Sequence, residues 1–201
     1  MGQKKSEEQE IPEHLGMLLL RMARKAIADQ LDAACSMDCK PLSVPEKYLA
    51  FLQGKTGVFV TIYLCGQLRG CIGTLEPVST LVEEISENAR HAAFHDPRFS
   101  PLTEKEYADI VLEISLLTPP EKLDFTDSED LIQKLQPGIH GVILEKNGAK
   151  ATFLPQVWEQ LREPEVFLEH LCRKAGLSSF AWKDGNVSIQ TYKVRFFKEK
   201  Q

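Results

Sequence analysis

The sequence predicts an α+β fold in two unequal subdomains, and three observations carry that expectation. Residues 57–63 (GVFVTIY) and the run from Leu68 to Thr74 are strand-like and lie on either side of a glycine-containing turn, which marks a β-hairpin. A second hairpin is written in GVILEKNGAKATFL, with two short strands about Asn147-Gly148. Between them Thr118-Pro119-Pro120 breaks the chain, and the texture changes after it. The expected larger subdomain is 13–118 plus 185–201, and the smaller one, 119–184, is inserted before the last strand returns to the first sheet. Residues 1–12 read as a disordered polar tail.

From His14 the apolar residues Leu15, Leu18, Leu19, Met22, Ala26 and Ile27 recur on one helical face, and the pattern fades near Cys35. In the first hairpin, Gly66-Gln67 suits a two-residue turn with glycine at its first central position. That turn sets Cys65 against Leu68, Leu64 against Arg69, Ile62 against Cys71 and Val60 against Gly73. A slip of one residue would flip the set. Glu76-Pro77 reads as a helix start, with Val78, Leu81, Val82, Ile85, Ala89, Ala92 and Ala93 as its buried stripe. It should stop at HDPRF, because the residue before Pro97 avoids helical angles. Residues 110–117 (IVLEISLL) form a strand with Glu113 and Ser115 on one face and Leu112, Ile114 and Leu116 on the other. A short helix around Ser128 follows, then helices started by Pro155 and by Pro164, the latter ending at Ala175-Gly176. Val187 to Phe197 reads as one long final strand.

The formal net charge is −5, which leaves no nucleic-acid footprint expected. No apolar run has the length needed to cross a bilayer, and the expected location is the cytoplasm. Five scattered cysteines, at 35, 39, 65, 71 and 172, read as free thiols in a reducing compartment. Cys35 and Cys39 have no second ligand pair near them in sequence, so no zinc site and no cofactor is expected. The start MGQKKS matches a myristoylation pattern in form and is read as a frayed terminus.

The sharpest candidate chemistry is in GQLRGCIGTLEP. Cys71 sits two residues after Arg69, between Gly70 and Gly73. One reading is a nucleophile whose thiolate Arg69 stabilises, with the glycines leaving room for a substrate. The other is a small buried hydrophobe in a strand. On the predicted register Cys71 lines a cleft and is more reactive than Cys65. Glu113 interrupts an apolar strand and needs a partner, of which Arg69 is one, or acts as a general base. His140, between glycines in PGIHGV, is an acid or base if the fold brings it to Cys71. Asp96 is expected to stabilise the turn before Pro97, and Arg98 to pair with a carboxylate. His91 and His95 have helical spacing for a metal edge but lack a third ligand, and no metal is expected.

Taken together, LRGCIGTLEP, AAFHDPRFSPL, LEISLL, PGIHGVIL, TFLPQVW, LCRKAGL and the closing aromatic strand resemble the AMMECR domain family, from about residue 14 to 199. Prokaryotic members are known as protein A of the AmmeMemoRadiSam system, after Memo-like and radical SAM proteins with which they are associated. The resemblance implies two unequal subdomains, each an antiparallel sheet with helices, and a broad cleft faced by the hexapeptide 68–73. It brings no established reaction. It puts Arg69, Gly70, Cys71, Ile72 and Gly73 at a site, with Asp96, Arg98, Glu113, Ser115 and His140 as further candidates. Two functions follow as expectations. One is a thiol-dependent enzyme. The other is a non-catalytic module that docks a Memo-like or radical SAM partner.

Overall fold

The computed structural model describes residues 11–31 and 44–200, so the tail expectation, Gly2, Cys35 and Cys39 lie outside the described residues. Helix α1 (Glu13–Leu31) buries Leu15, Leu19, Ala23 and Ile27, a set repeating every four residues. After a 3-10 turn at Glu46–Tyr48 come α2 (Leu49–Gln53), β1 (Val58–Leu64) and β2 (Gln67–Thr74). Then follow α3 (Leu81–Phe94), α4 (Glu104–Tyr107), β3 (Ile110–Leu117), β4 (Glu121–Lys122) and α5 (Ser128–Lys134). The remainder is β5 (Gly141–Lys146), β6 (Ala149–Phe153), a 3-10 turn at Pro155–Glu159, α6 (Pro164–Lys174), a 3-10 turn at Ala181–Lys183, β7 (Ser188–Tyr192) and β8 (Val194–Lys198). No described helix is long and apolar enough to cross a membrane.

The fold is α+β, with two four-stranded sheets in the orders β2-β1-β3-β8 and β4-β7-β5-β6. The chain divides into two compact units, one running up to Ser115 and resuming at Phe196, the other spanning Leu116–Arg195. In the first unit, Val58, Val60 and Ile62 of β1 and Leu112 and Ile114 of β3 are fully buried. Gly70 faces α3 so closely that a methyl there would overlap the Ala92 carbonyl oxygen. Gly16 of α1 likewise receives the Phe197 ring of β8, so both helices cover the same face of this sheet. Arg24 of α1 is buried. Its Nε and Nη2 donate to the two Glu199 carboxylate oxygens at 2.7 and 2.6 Å, and Nη2 also donates to the Ile110 carbonyl. In the second unit Leu131, Val142, Leu144, Leu168, Trp182 and Ile189 form the core, with Trp158 stacked on Phe167 at 3.7 Å between ring centroids.

Three local expectations are corrected. The first hairpin turns on Cys65-Gly66, both at positive φ (50° and 76°), and not on Gly66-Gln67. This pairs Leu64 with Gln67 and Tyr63 with Leu68; a bulge at Arg69 then pairs Ile62 with Gly70 and Thr61 with Cys71. Cys71 therefore shares a face with Thr61 and not with Ile62. Helix α3 begins at Leu81, because Thr80 and Glu83 form a reciprocal capping box; Val78 lies before it, 80% exposed. The final strand is two strands. β7 pairs with β4 and β5, and the chain enters the first sheet only after Lys193, whose main-chain N–H is taken by the Thr118 hydroxyl.

Candidate functional site

Strand β2 is an edge strand of the first sheet. At Cys71 its outward main-chain groups, which an edge leaves without a strand partner, are both taken. The Cys71 N–H donates to Asp96 Oδ2 at 2.9 Å, and Arg98 Nη2 donates to the Cys71 carbonyl at 3.1 Å. Asp96 and Arg98 are joined in turn. Arg98 Nε and Nη2 donate to the two carboxylate oxygens at 2.9 and 2.6 Å, and the Arg98 N–H donates to Oδ1 at 3.1 Å. Asp96 is 3% exposed. The Arg98 hydrogen bonds hold its carboxyl far below the usual carboxylate range against the opposing effect of burial. The turn role expected of Asp96 is present, and so is the carboxylate partner expected for Arg98. The clamp they place on β2 is additional.

The Cys71 side chain is half-buried and points to the face of the sheet opposite α3, where the Thr61 hydroxyl donates to its Sγ at 3.3 Å. Burial pushes the thiol up; the Thr61 hydroxyl and the Arg98 charge oppose this, and Asp96 and Glu113 add to it. The resting group is a protonated thiol. Arg69 does not serve it. Its Nε and Nη2 donate to Glu106 at 3.0 and 3.2 Å and Nη2 also reaches the Pro101 carbonyl, while Nη1 is buried without a partner. Phe99 lies beside both guanidiniums, 6.0 Å from Arg69 Cζ and 5.5 Å from Arg98 Cζ. Gly73 accommodates the Phe59 ring, and Ile72 is half-buried on the helix side.

The Arg69 hydrogen bonds hold the Glu106 carboxyl down at about 2, against an ordinary 4.5. A carboxylate whose folded value lies below its unfolded one stabilises the fold above the unfolded value. That stabilisation is lost as pH falls from about 4.5 through about 2. Acid titration of the folded fraction of the wild-type chain and of Glu106→Gln should show this part of the pH dependence only in the wild type; identical profiles would contradict it.

Glu113 projects from β3 to the same face of the sheet. Its partners are Lys198, whose Nζ lies 3.8 Å from Oε2, and Tyr63, with which it hydrogen-bonds; Arg69 is not among them. Burial raises the Glu113 carboxyl, with Lys198 and Tyr63 opposing. Lys198 Nζ also sits 4.1 Å over the Tyr63 ring centroid. Cys71, Thr61, Tyr63, Glu113 and Lys198 thus make a polar row through β2, β1, β3 and β8 in sheet order. Ser115 is buried. Tyr63, Thr61 and Lys198 escaped the sequence reading; the alternation of β1 carried the signal for the first two once the register was right.

His140 belongs to the second unit. Its Nδ1 accepts from the Gln136 N–H at 3.2 Å, which assigns the ring proton to Nε2, and its carbonyl accepts from Trp158 Nε1 at 2.7 Å. Burial and Lys193 keep it below the ordinary histidine value. His91 and His95 are exposed with ring centroids 5.6 Å apart. Among the described residues no three His, Cys, Asp or Glu side chains group to hold a metal ion.

The AMMECR1 family model matches residues 20–197. The chain belongs to the AMMECR1 family. Relatives of this AMMECR1 chain include a protein of Thermofilum pendens, 37% identical, with 92% of this chain and 89% of that protein covered. Another, from Methanopyrus kandleri, is 38% identical with the same coverage, 92% and 89%. The crystal structure of an uncharacterized protein from Pyrococcus horikoshii matches with a TM-score of 0.80 and 34% identity, covering 94% of each chain. The hexapeptide, the clamp and, apart from Lys198, the polar row of this AMMECR1 domain lie inside the matched span.

Proposed function

We propose that this AMMECR1-family chain acts on a ligand at residues 68–73, through thiol-dependent chemistry at Cys71 with Glu113 as the group that handles protons. The observation that carries the reading is the fixing of Cys71 at both its main-chain polar atoms by the Asp96–Arg98 pair. Two features lower the thiol from that position, the Thr61 donor and the Arg98 charge. A thiolate formed there is met by a hydroxyl and a guanidinium already in place, which suits a nucleophile that ionises on demand. Glu113, raised by burial and on the same sheet face, has the character of a proton acceptor.

A docking role is the second reading, favoured by Leu68, 42% exposed at the start of β2 and ahead of the point where Asp96 and Arg98 occupy the strand's edge. A Memo-like or radical SAM partner rests on the family resemblance alone. Metabolite profiles of the native host lacking this chain, complemented with the wild type or Cys71→Ala, test the proposal. The wild type should clear a metabolite that accumulates in its absence, and Cys71→Ala should not. Full complementation by Cys71→Ala discards the thiol reading and favours docking.

A further inference from the structure

We propose that the ligand carries an anionic group, a carboxylate or a phosphate, that docks on Arg98 beside the Cys71 thiol; this rests on Cys71 being the working thiol.

A surface arginine ordinarily samples many rotamers, and a ligand that captures it must overcome that freedom. Arg98 is 53% exposed at its side chain, yet its position is already fixed. One edge of the guanidinium, Nε with Nη2, lies along the buried Asp96 carboxylate, and Nη2 also reaches the Cys71 carbonyl. The plane is therefore set, with Phe99 alongside it. Nη1 makes no hydrogen bond to any described residue. What remains exposed is a charged donor, oriented by a carboxylate that solvent does not reach, next to a thiol whose ionisation it favours. Orientation of a charged side chain by a buried partner is how a recognition arginine is prepared.

Arg69 adds a second, independent sign. Its Nη1 is buried and has no partner. An unpaired buried donor on a cation is costly, and protein interiors seldom retain one. It lies near the same Phe99 ring as Arg98. A second guanidinium near the same ring, braced by its own carboxylate, adds positive charge behind the donor that Arg98 presents. The bracing carboxylates also cancel the long-range charge. Attraction is then short-ranged and hydrogen-bonded, so binding selects for shape and donor geometry more than for net charge.

Paired alkylating agents test this on the whole native chain. Iodoacetamide is neutral, and iodoacetate carries a carboxylate beside the same reactive carbon. In both reactions the cysteine sulfur bonds to that carbon, iodide leaves, and the thiol proton passes to solvent. Rates at Cys65 and Cys71 are read by peptide mass spectrometry. With iodoacetamide the exposed Cys65 should react faster than Cys71, which reverses the order expected from the sequence. The ratio of the iodoacetate rate to the iodoacetamide rate should be about two- to fivefold higher at Cys71 than at Cys65, the size of one partly exposed charge contact. Arg98→Gln should abolish that excess and Arg98→Lys should keep part of it, with the Cys65 rates as the check on folding. In the wild type, which needs no variant, inorganic phosphate or acetate should slow iodoacetate at Cys71 more than it slows iodoacetamide there, and the stronger protector names the anion. Equal ratios at the two cysteines overturn the anion subsite and leave the thiol reading standing. A native chain in which Cys71 takes neither reagent overturns both.

Discussion

Glu199→Ala should destabilise the first unit by about 3–5 kcal/mol, the cost of leaving a buried charge without its partner. Glu199 is bound on three sides. Its carboxylate accepts from Arg24 Nε and Nη2 and from the Leu112 N–H at 2.8 Å, and its own N–H donates to the Leu112 carbonyl. Removing the side chain strands a guanidinium whose side chain is only 10% exposed, held among helix and strand ends. Urea unfolding measures the effect as a lower midpoint at an unchanged slope. Glu199→Gln should fall in between, since it keeps an acceptor and loses the charge. The double variant Arg24→Met with Glu199→Leu should recover most of the loss, because an apolar pair of similar volume often replaces a buried ion pair at little cost. A Glu199→Ala chain within about 1 kcal/mol of the wild type would show that the pair contributes little beyond an ordinary surface contact.

Gly70→Ala should cost about 3 kcal/mol, the upper part of the range for overpacking. The added methyl would overlap the main-chain oxygen of Ala92, and a helix backbone cannot step aside as the end of a flexible side chain can. Either α3 lifts off the sheet or β2 moves outward, and β2 is where Asp96 and Arg98 grip Cys71. The loss should therefore appear twice, as a lower urea midpoint and as faster alkylation of Cys71 as its burial relaxes. The same substitution at Gly66, where a methyl would meet nothing within 4 Å, is limited to the strain of its positive φ. If Gly70→Ala proved no more destabilising than Gly66→Ala, the close helix–strand approach would be refuted.

The contrast between the two hairpins shows what the sequence made legible. Asn147-Gly148 was readable because asparagine and glycine both tolerate left-handed backbone, and both adopt it, at φ of 53° and 81°. Cys65-Gly66 takes the same turn, but cysteine is not a residue that announces positive φ. Reading the glycine at the first turn position instead of the second displaces each cross-strand partner next to the turn by two residues, so that Leu64 pairs with Gln67 and not with Arg69. The bulge at Arg69 takes one residue of that displacement back, so that Ile62 meets Gly70 and not Cys71, and no alternation pattern encodes it. The helices were legible from apolar spacing and, for α3, from a Thr80–Glu83 capping box that the more conspicuous Pro77 masked. At the site, Cys71, Arg69, Asp96, Arg98 and Glu113 stood out one by one. Their partners did not. Arg69 to Glu106, Cys71 to Asp96 and Glu113 to Lys198 are contacts between residues far apart in the chain, set by which strands and loops become neighbours.

The ion pair of Arg24 with Glu199 joins residues 175 positions apart, and that separation has a consequence for biosynthesis. On the ribosome the helix carrying Arg24 emerges 175 positions ahead of its counterion. Strand β8, which completes the order β2-β1-β3-β8, arrives equally late. Until then the nascent first sheet lacks an outer strand and its buried guanidinium has no counter-charge. The second unit, whose strands all lie within Leu116–Arg195, is fully synthesised before the first can close. The translational order is thus inverted: the unit begun first is finished last, and its exposed β3 edge needs protection during elongation.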